Sequence, residues 1–278
     1  MDISKYKAYR ALQAAKKVVQ GDYAKQYDYL RDYLEELSRS NPGTTVRLLT
    51  EPCDDDVDKR KFMRCYVCLG PLKEGFRTLS RDLLGLDGAF MKEPATGQIL
   101  SDVGVDSNNG IYSLAYAILE GENYNSWSWF LECLRDDLDL TSMSNFTFIS
   151  DRQKGLIHAV ERIFPCVEHG FCLRHLHENM KTKNFRGLAY KQHLWNMRAN
   201  DPKVPRPELW VNQVHHRKRW FDTYQHAIIP LNGRDMWPKS NVTIPILPPK
   251  KIATAGRPKK SRRKGLLEND NIVEGGKL

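Results

Sequence analysis

The chain has 278 residues, with 41% apolar and 10% aromatic content. That length and composition suit one large domain, or one domain with extensions, rather than an unfolded polyelectrolyte. No run of 18 apolar residues occurs, so no membrane span is indicated, and Met1-Asp2-Ile3-Ser4-Lys5 has no apolar signal region. The formal charge is +9, and the nine cations Lys239, Lys250, Lys251, Arg257, Lys259, Lys260, Arg262, Arg263 and Lys264 equal the whole excess, with no acid between residues 239 and 265. The body is therefore neutral, and the tail is the electrostatic handle for a polyanion. The six cysteines, at 53, 65, 68, 133, 166 and 172, are scattered. They read as reduced thiols in an intracellular protein without disulfides.

In chain order, residues 4–39 carry helical spacing. Tyr9, Leu12, Ala15, Val18 and Val19 form one set, and Tyr23, Tyr27, Leu30, Tyr33 and Leu34 form another after Gly21. Ser40-Asn41-Pro42-Gly43 is a turn. Strands are expected at Val46–Leu49 and at Lys61–Leu69, and the second carries Cys65-Tyr66-Val67-Cys68. A zinc site would need two more ligands at workable spacing. Residues three apart on a strand also face opposite sides, so this pair reads as buried, and no zinc site is expected. A short helix is expected over Leu72–Leu79, followed by a strand, Leu83-Leu84-Gly85-Leu86, ending at Asp87.

Gln98–Asp106 and Ile111–Leu119 are two more apolar segments, joined through Asn109-Gly110, a strong hairpin signal. Trp127, Phe130, Leu131, Leu134 and Leu138 mark an amphipathic helix. Phe146–Ile149 is a strand ending at Asp151, Gly155–Phe164 a helix, and Val167–Phe171 a strand leading into Cys172-Leu173-Arg174-His175. Three antiparallel strands followed by alternating elements give an α/β (α+β) fold, a ribonuclease H-like mixed sheet flanked by helices. An acid at the carboxyl end of a strand lies where open α/β sheets place their chemistry. Asp87 and Asp151 would share a divalent metal if their strands are neighbours. Taken singly, Asp151 also reads as a helix N-cap and Asp106 as a turn residue.

Several motifs occur together: Asn41-Pro42-Gly43-Thr44-Thr45, Leu86-Asp87-Gly88-Ala89-Phe90-Met91-Lys92, Gly104-Val105-Asp106-Ser107-Asn108-Asn109, Glu122-Asn123, Ser126-Trp127-Ser128-Trp129-Phe130, Ser150-Asp151-Arg152-Gln153-Lys154-Gly155-Leu156 and Cys172-Leu173-Arg174-His175-Leu176. In this order and spacing they resemble the plant Mutator-like (MULE, MuDR-type) DNA transposases. The resemblance implies a DDE transposase that performs cut-and-paste transposition through two metals, usually Mg²⁺ or Mn²⁺. Asp87 and Asp151 match its first and second acids. Cys172 and His175 match the C-x-x-H element of the superfamily, with an architectural role.

The family's third acid, a Glu in an Asn-x-x-Glu-Ser-x-Asn-like segment, has no counterpart after Arg198; Glu208 sits in Arg206-Pro207-Glu208-Leu209-Trp210, which does not match. The family's C-terminal zinc finger is also missing, because no cysteine follows Cys172. Residues 224–260 resemble the extreme C-terminal tail of the same family, so two matching ends are joined near residues 199–215 with the middle removed. The expected organisation is an N-terminal helical segment at 1–42, a partial transposase core at 43–199, a remnant of the family's C-terminal region at 200–238, and a basic, disordered tail at 239–278. Apolar surface around Phe185–Trp195 would be uncovered and open to self-association.

In the tail, Gly256-Arg257-Pro258 with Lys259 and Lys260 has the core of an AT-hook, whose Arg enters the narrow minor groove of A·T-rich double-stranded DNA. Lys259, Lys260, Arg262, Arg263 and Lys264 read equally as a nuclear localisation signal. His215-His216-Arg217-Lys218-Arg219 reads as a solvated or phosphate-contacting face. Two functions follow as expectations, both nuclear. One is a transposase relic impaired by the loss of its third acid. The other is a transposase-derived DNA-binding regulator without catalysis.

Overall fold

The computed structural model describes residues 4–249 apart from 21–22, 55, 79–81, 92–96, 141–145 and 200–216. The N-terminal helical residues form α1 (Lys5–Gln20), α2 (Tyr23–Gln26), a 3-10 turn (Tyr27–Tyr29) and α3 (Leu30–Ser40). The strands are β1 (Thr45–Cys53), β2 (Asp56–Cys68), β3 (Leu83–Phe90), β4 (Gln98–Val105), β5 (Ile111–Leu119), β6 (Thr147–Ser150), β7 (Glu168–Phe171) and β8 (Ile246–Leu247). Among the described residues they form one eight-stranded sheet in the order β1-β2-β5-β4-β3-β6-β7, with β8 attached to β2. β3, β4 and β5 run antiparallel, whereas β3–β6 and β6–β7 are parallel. Within the sheet, β5-β4-β3-β6-β7 is the ribonuclease H-like arrangement, and the β1–β2 hairpin extends it on the β5 side.

Two apolar layers hold the sheet. On one face, α5 (Tyr124–Leu138) and α6 (Lys154–Ile163) pack Trp127, Phe130, Leu134, Leu156 and Val160 against Leu84, Leu86, Leu100 and Phe148. On the other face, Leu34 and Leu37 of α3 cover Phe62, Cys65 and Val67 of β2. Cys65 and Cys68 thus enter different cores, as residues three apart on a strand must.

The turn after β4 is built by Asp106. Its carboxylate accepts from the Asn108 and Gly110 N–H groups at 2.8 and 2.6 Å, while Asn109 takes φ 64°. Asn tolerates that left-handed conformation better than most residues, which is why Asn-Gly punctuates the hairpin.

The β1–β2 hairpin is longer than the apolar pattern predicts. Its outer half is polar, carrying Asp56, Asp58, Lys59 and Arg60, and the register slips between Leu49 and Thr50. A bulge of this kind shifts which side chains face the core and erases the alternation a reader would follow. The helix expected from Leu72 starts earlier, as α4 (Gly70–Arg77), because Pro71 fits the first helical turn.

The segment expected to be a C-terminal remnant is built into the fold. It begins with α9 (Arg217–Tyr224), which follows α7 (Leu173–Thr182) and α8 (Leu188–Ala199). Tyr224 donates its hydroxyl to Asp106 at 2.8 Å. Buried Asn41 grips Ile229 through both its side-chain oxygen and nitrogen, at 2.8 and 3.1 Å. Asn232 donates to Glu36, Lys239 and Ser240 donate to Asp32, and Ile246–Leu247 pair in parallel with Arg60–Lys61. Residues 229–247 are therefore a strap over α3.

Two carboxylates anchor this strap, and both are held below the usual carboxylate range. Glu36 is brought to about 2, first by Arg39, then by Asn232 and Ser40. Asp32 is lowered first by Lys239 and then by the Ser240 N–H. A depressed acid stabilises the fold fully above its unfolded value, 4.5 for Glu36, and loses that contribution as pH falls through about 2. Hydrogen-exchange protection of residues 229–240 is expected to fall across that window before protection of β3 and β6 does. Replacing Glu36 with Gln should flatten the dependence.

Candidate metal-binding site

β3 and β6 are adjacent parallel strands whose last paired residues are Leu86 and Ser150. Asp87 and Asp151 are each the next residue. The structure thus brings onto neighbouring strands the two acids that the sequence places 64 positions apart; Asp151 follows the end of β6, whereas β3 does not end at Asp87 as expected but runs on to Phe90, because β4 continues to pair with it. Asp87 is exposed and Asp151 partly so. Asp87 accepts from the Gly88 N–H at 2.9 Å.

Asp151 is held more firmly. Its carboxylate accepts from the Gln153 N–H at 3.0 Å. The N-cap of α6 is Gln153, whose side-chain oxygen accepts from the Leu156 N–H at 2.6 Å, so Asp151 turns the chain into the helix without being its cap. Ser150 donates its hydroxyl to the Asp151 carbonyl at 2.7 Å, and its oxygen then accepts from His169 Nε2, also at 2.7 Å. Burial lowers the His169 pKa, so the ring stays neutral at neutral pH and serves as a prop behind Asp151. Arg152 stacks over the Phe171 ring, 5.6 Å from its centroid, on the flank of the acids.

A third carboxylate, Glu122, lies beside this pair. It precedes α5, whose N-cap Asn123 accepts from the Ser126 N–H at 3.1 Å. The Glu122 carboxylate occupies the space over Gly88: a Cβ added there would meet Cδ at 3.0 Å and both oxygens at 3.1 Å. Trp127 donates its indole N–H to Glu122 Oε1 at 3.2 Å. Burial raises the Glu122 pKa, and the charges of Asp151 and Asp87 raise it further. Sequence reasoning quoted Glu122 only as part of a motif. Nothing in its spacing showed that its carboxylate would lie over Gly88 of β3.

Cys172 is the N-cap of α7 and His175 lies in its first turn, three residues on. The Cys172 N–H donates to the Ser150 carbonyl at 2.7 Å, which ties the start of α7 to the strand that bears Asp151. His175 Nδ1 is buried and makes no hydrogen bond. Among the described residues, no three His, Cys, Asp or Glu side chains stand as a closed ligand group. The tail residues Gly256, Arg257, Pro258, Lys259, Lys260, Arg262, Arg263 and Lys264 lie outside the described residues, as do Glu208, His215 and His216.

A family model, the MULE transposase domain, matches residues 83–179, from the first residue of β3 into α7. The chain carries a MULE transposase domain. The protein is related to the Mutator-like transposases, its function is transposase-related, and β1, β2 and the strap lie outside the matched span. No curated protein matches the chain. Transposase domains generally act on DNA with divalent metals. The donor set of this MULE domain fits such an ion, since Asp87 and Asp151 offer hard carboxylate oxygens. No helix among the described residues is long and apolar enough to cross a membrane.

Proposed function

We propose that the chain is a DDE-type Mutator-like transposase relic in which Asp87 and Asp151 hold a divalent cation, Mg²⁺ or Mn²⁺. The observation that supports this reading is the juxtaposition of the two acids, each the residue after the last β3–β6 pair. A cation held there would activate the attacking oxygen and steady the leaving oxygen of a phosphodiester. The chain's own part is to fix Asp151 through Gln153 and the Ser150–His169 prop, and to keep Asp87 open to the nucleic acid. Residues 43–199 form the partial core of this proposal, residues 1–42 its helical N-terminal segment and residues 200–238 the family remnant. Strand transfer is impaired, because the sequence has no counterpart of the family's distant Glu.

A second reading is favoured by where the charge lies. The nine cations of residues 239–264 account for the entire net charge of the chain. They would import the protein into the nucleus and bind double-stranded DNA, with Arg257 in the minor groove and the flanking Lys and Arg on phosphates. On this reading the protein is a DNA-binding regulator. Phe185, Leu188 and Tyr190 are exposed and form the surface we propose for self-association.

One experiment with two arms tests both readings. The full chain and a chain lacking residues 239–278 are each mixed with terminal-inverted-repeat duplexes in Mg²⁺ or Mn²⁺. Binding is expected to weaken when the tail is removed and at higher salt, with cleavage weak or absent. Robust cleavage that Asp87→Asn abolishes would overturn the impairment. Equal binding by the two chains would remove the tail from the account.

A further inference from the structure

We propose that the basic tail and the end of the sheet bearing Asp87 and Asp151 grip one and the same DNA duplex. The strap fixes where the tail departs, and Arg152, Lys154 and Arg174 take phosphates beside the acids. The inference rests on the readings that the tail binds double-stranded DNA and that the two acids mark the reacting edge.

β8 locates the root of the tail. Ile246 and Leu247 pair in parallel with Arg60 and Lys61, and the Arg60 N–H donates to the Pro245 carbonyl at 3.0 Å. At those positions β2 already pairs with β1, through Pro52 and Glu51. β8 therefore takes the opposite edge of β2, the one that β5 uses farther along, at Cys65–Cys68. β5 ends at Leu119, opposite Gln98, and Gln98 is opposite Phe90, the last residue of β3. So β8 continues the line of β5 past its end, at the end of the sheet toward which β3 and β6 run. Asp87 and Asp151 lie toward that same end. In strand order β5 is two strands from β3 and three from β6, about 10 and 14 Å at ordinary strand spacing. Ile246 is buried in the layer under α3, which pins this root. Lys250 and Lys251 follow Pro249 at once. The stretch from Lys250 to Lys264 can extend to about 45 Å, far enough to pass both acids. On the other flank, Arg152 follows Asp151 directly, Lys154 opens α6 and Arg174 lies in the first turn of α7. All three are exposed, and the ion pairs of α6 and α7 use His158, Arg162 and Lys181 instead. Two carboxylates alone would repel a phosphate backbone, and cations on both flanks offset that repulsion. A long polyanion such as duplex DNA fits this pattern, because it presents phosphates to both flanks at once.

The test is fluorescence anisotropy of a labelled terminal-inverted-repeat duplex with the full chain, between about 50 and 200 mM salt. The triple variant Arg152→Ala, Lys154→Ala and Arg174→Ala should bind more weakly. Its slope of log K against log salt should be shallower by about 2–3, since each lost phosphate contact removes roughly 0.9. A second variant carries about twenty Gly and Ser residues inserted between Pro249 and Lys250, a flexible spacer that keeps every cation. It should bind about threefold or more weakly, because the longer tether lowers the effective concentration of the second surface. Circular dichroism checks that each variant folds, and the three single substitutions, each expected to lower the slope by about 1, replace the triple variant if it does not. An unchanged slope on losing the three cations, with tail removal still weakening binding, would show that the tail holds DNA away from the acids and overturn this inference alone. Unchanged affinity of the spacer variant would overturn the part given to the strap. Binding that tail removal leaves intact would overturn the tail reading and this inference with it.

Discussion

Replacing Asp102 with Asn is expected to stabilise the fold at neutral pH by about 2 kcal/mol, because each pH unit over which the folded acid keeps a proton that the unfolded chain has lost costs about 1.4 kcal/mol. For a chain of this length that is roughly 4–8 °C in Tm. Asp102 lies on β4, fully buried, and neither of its carboxylate oxygens makes a hydrogen bond. Burial pushes its pKa well above the ordinary value of 3.8. The native state therefore keeps a proton that the unfolded chain gives up. Stability drains away as pH rises from about 4, the unfolded value, toward the raised native value, and the loss is complete above it. Wild type and Asp102→Asn should thus agree near pH 4 and diverge as pH rises. Urea unfolding of both proteins between pH 4 and 8 measures the gap. A constant gap across that range would remove the protonation argument.

The second large effect is destabilising. Lys73→Met is expected to cost about 3–5 kcal/mol, because it strands a buried carboxylate. Lys73 and Asp137 are nearly buried, with side chains 11% and 7% exposed, and stand 3.0 Å apart. Lys73 also donates to Thr45 at 2.6 Å, Thr45 donates to Asp137 at 2.6 Å, and Tyr66 donates to the other Asp137 oxygen at 2.9 Å. One carboxylate at the end of α5 thereby joins β1, β2 and α4. Removing both charges, as Lys73→Met with Asp137→Leu, should cost much less than the sum of the two single changes, since no ion is then left uncompensated. Chemical denaturation of the four proteins of this cycle checks it. A single-variant cost under about 1 kcal/mol would show that water reaches the pair and screens it.

How legible these features were depended on the range of the interaction. Elements with strong local signals were readable. The run Leu83-Leu84-Gly85-Leu86 gave β3, Asn109-Gly110 gave the hairpin, and the helical spacing from Trp127 gave α5. The pairing of Asp87 with Asp151 needed the strand order as well, and the three-antiparallel-then-alternating pattern was enough to expect it. What escaped is non-local and polar. Asn41 and Ile229 meet across 188 positions, and neither residue announces a partner. Glu122 looks like any acid before an N-cap, and nothing in its spacing announces that its carboxylate lies over Gly88. Asp102 broke the expected pattern by placing a carboxyl group on the buried face of a strand, where periodicity alone would put an aliphatic residue.

The strap over α3 also sets an order of events during synthesis. Leu34, Leu37 and Phe62 belong to an apolar layer that Ile246 helps to close, and Glu36 and Asp32 wait for Asn232 and Lys239. A nascent chain that has emerged only as far as the MULE domain has every strand of the ribonuclease H-like unit, yet its first helices still lack their cover. The N-terminal third of the protein is thus the first part made and among the last to finish folding. During that interval it is the part most exposed to chaperones and to neighbouring chains.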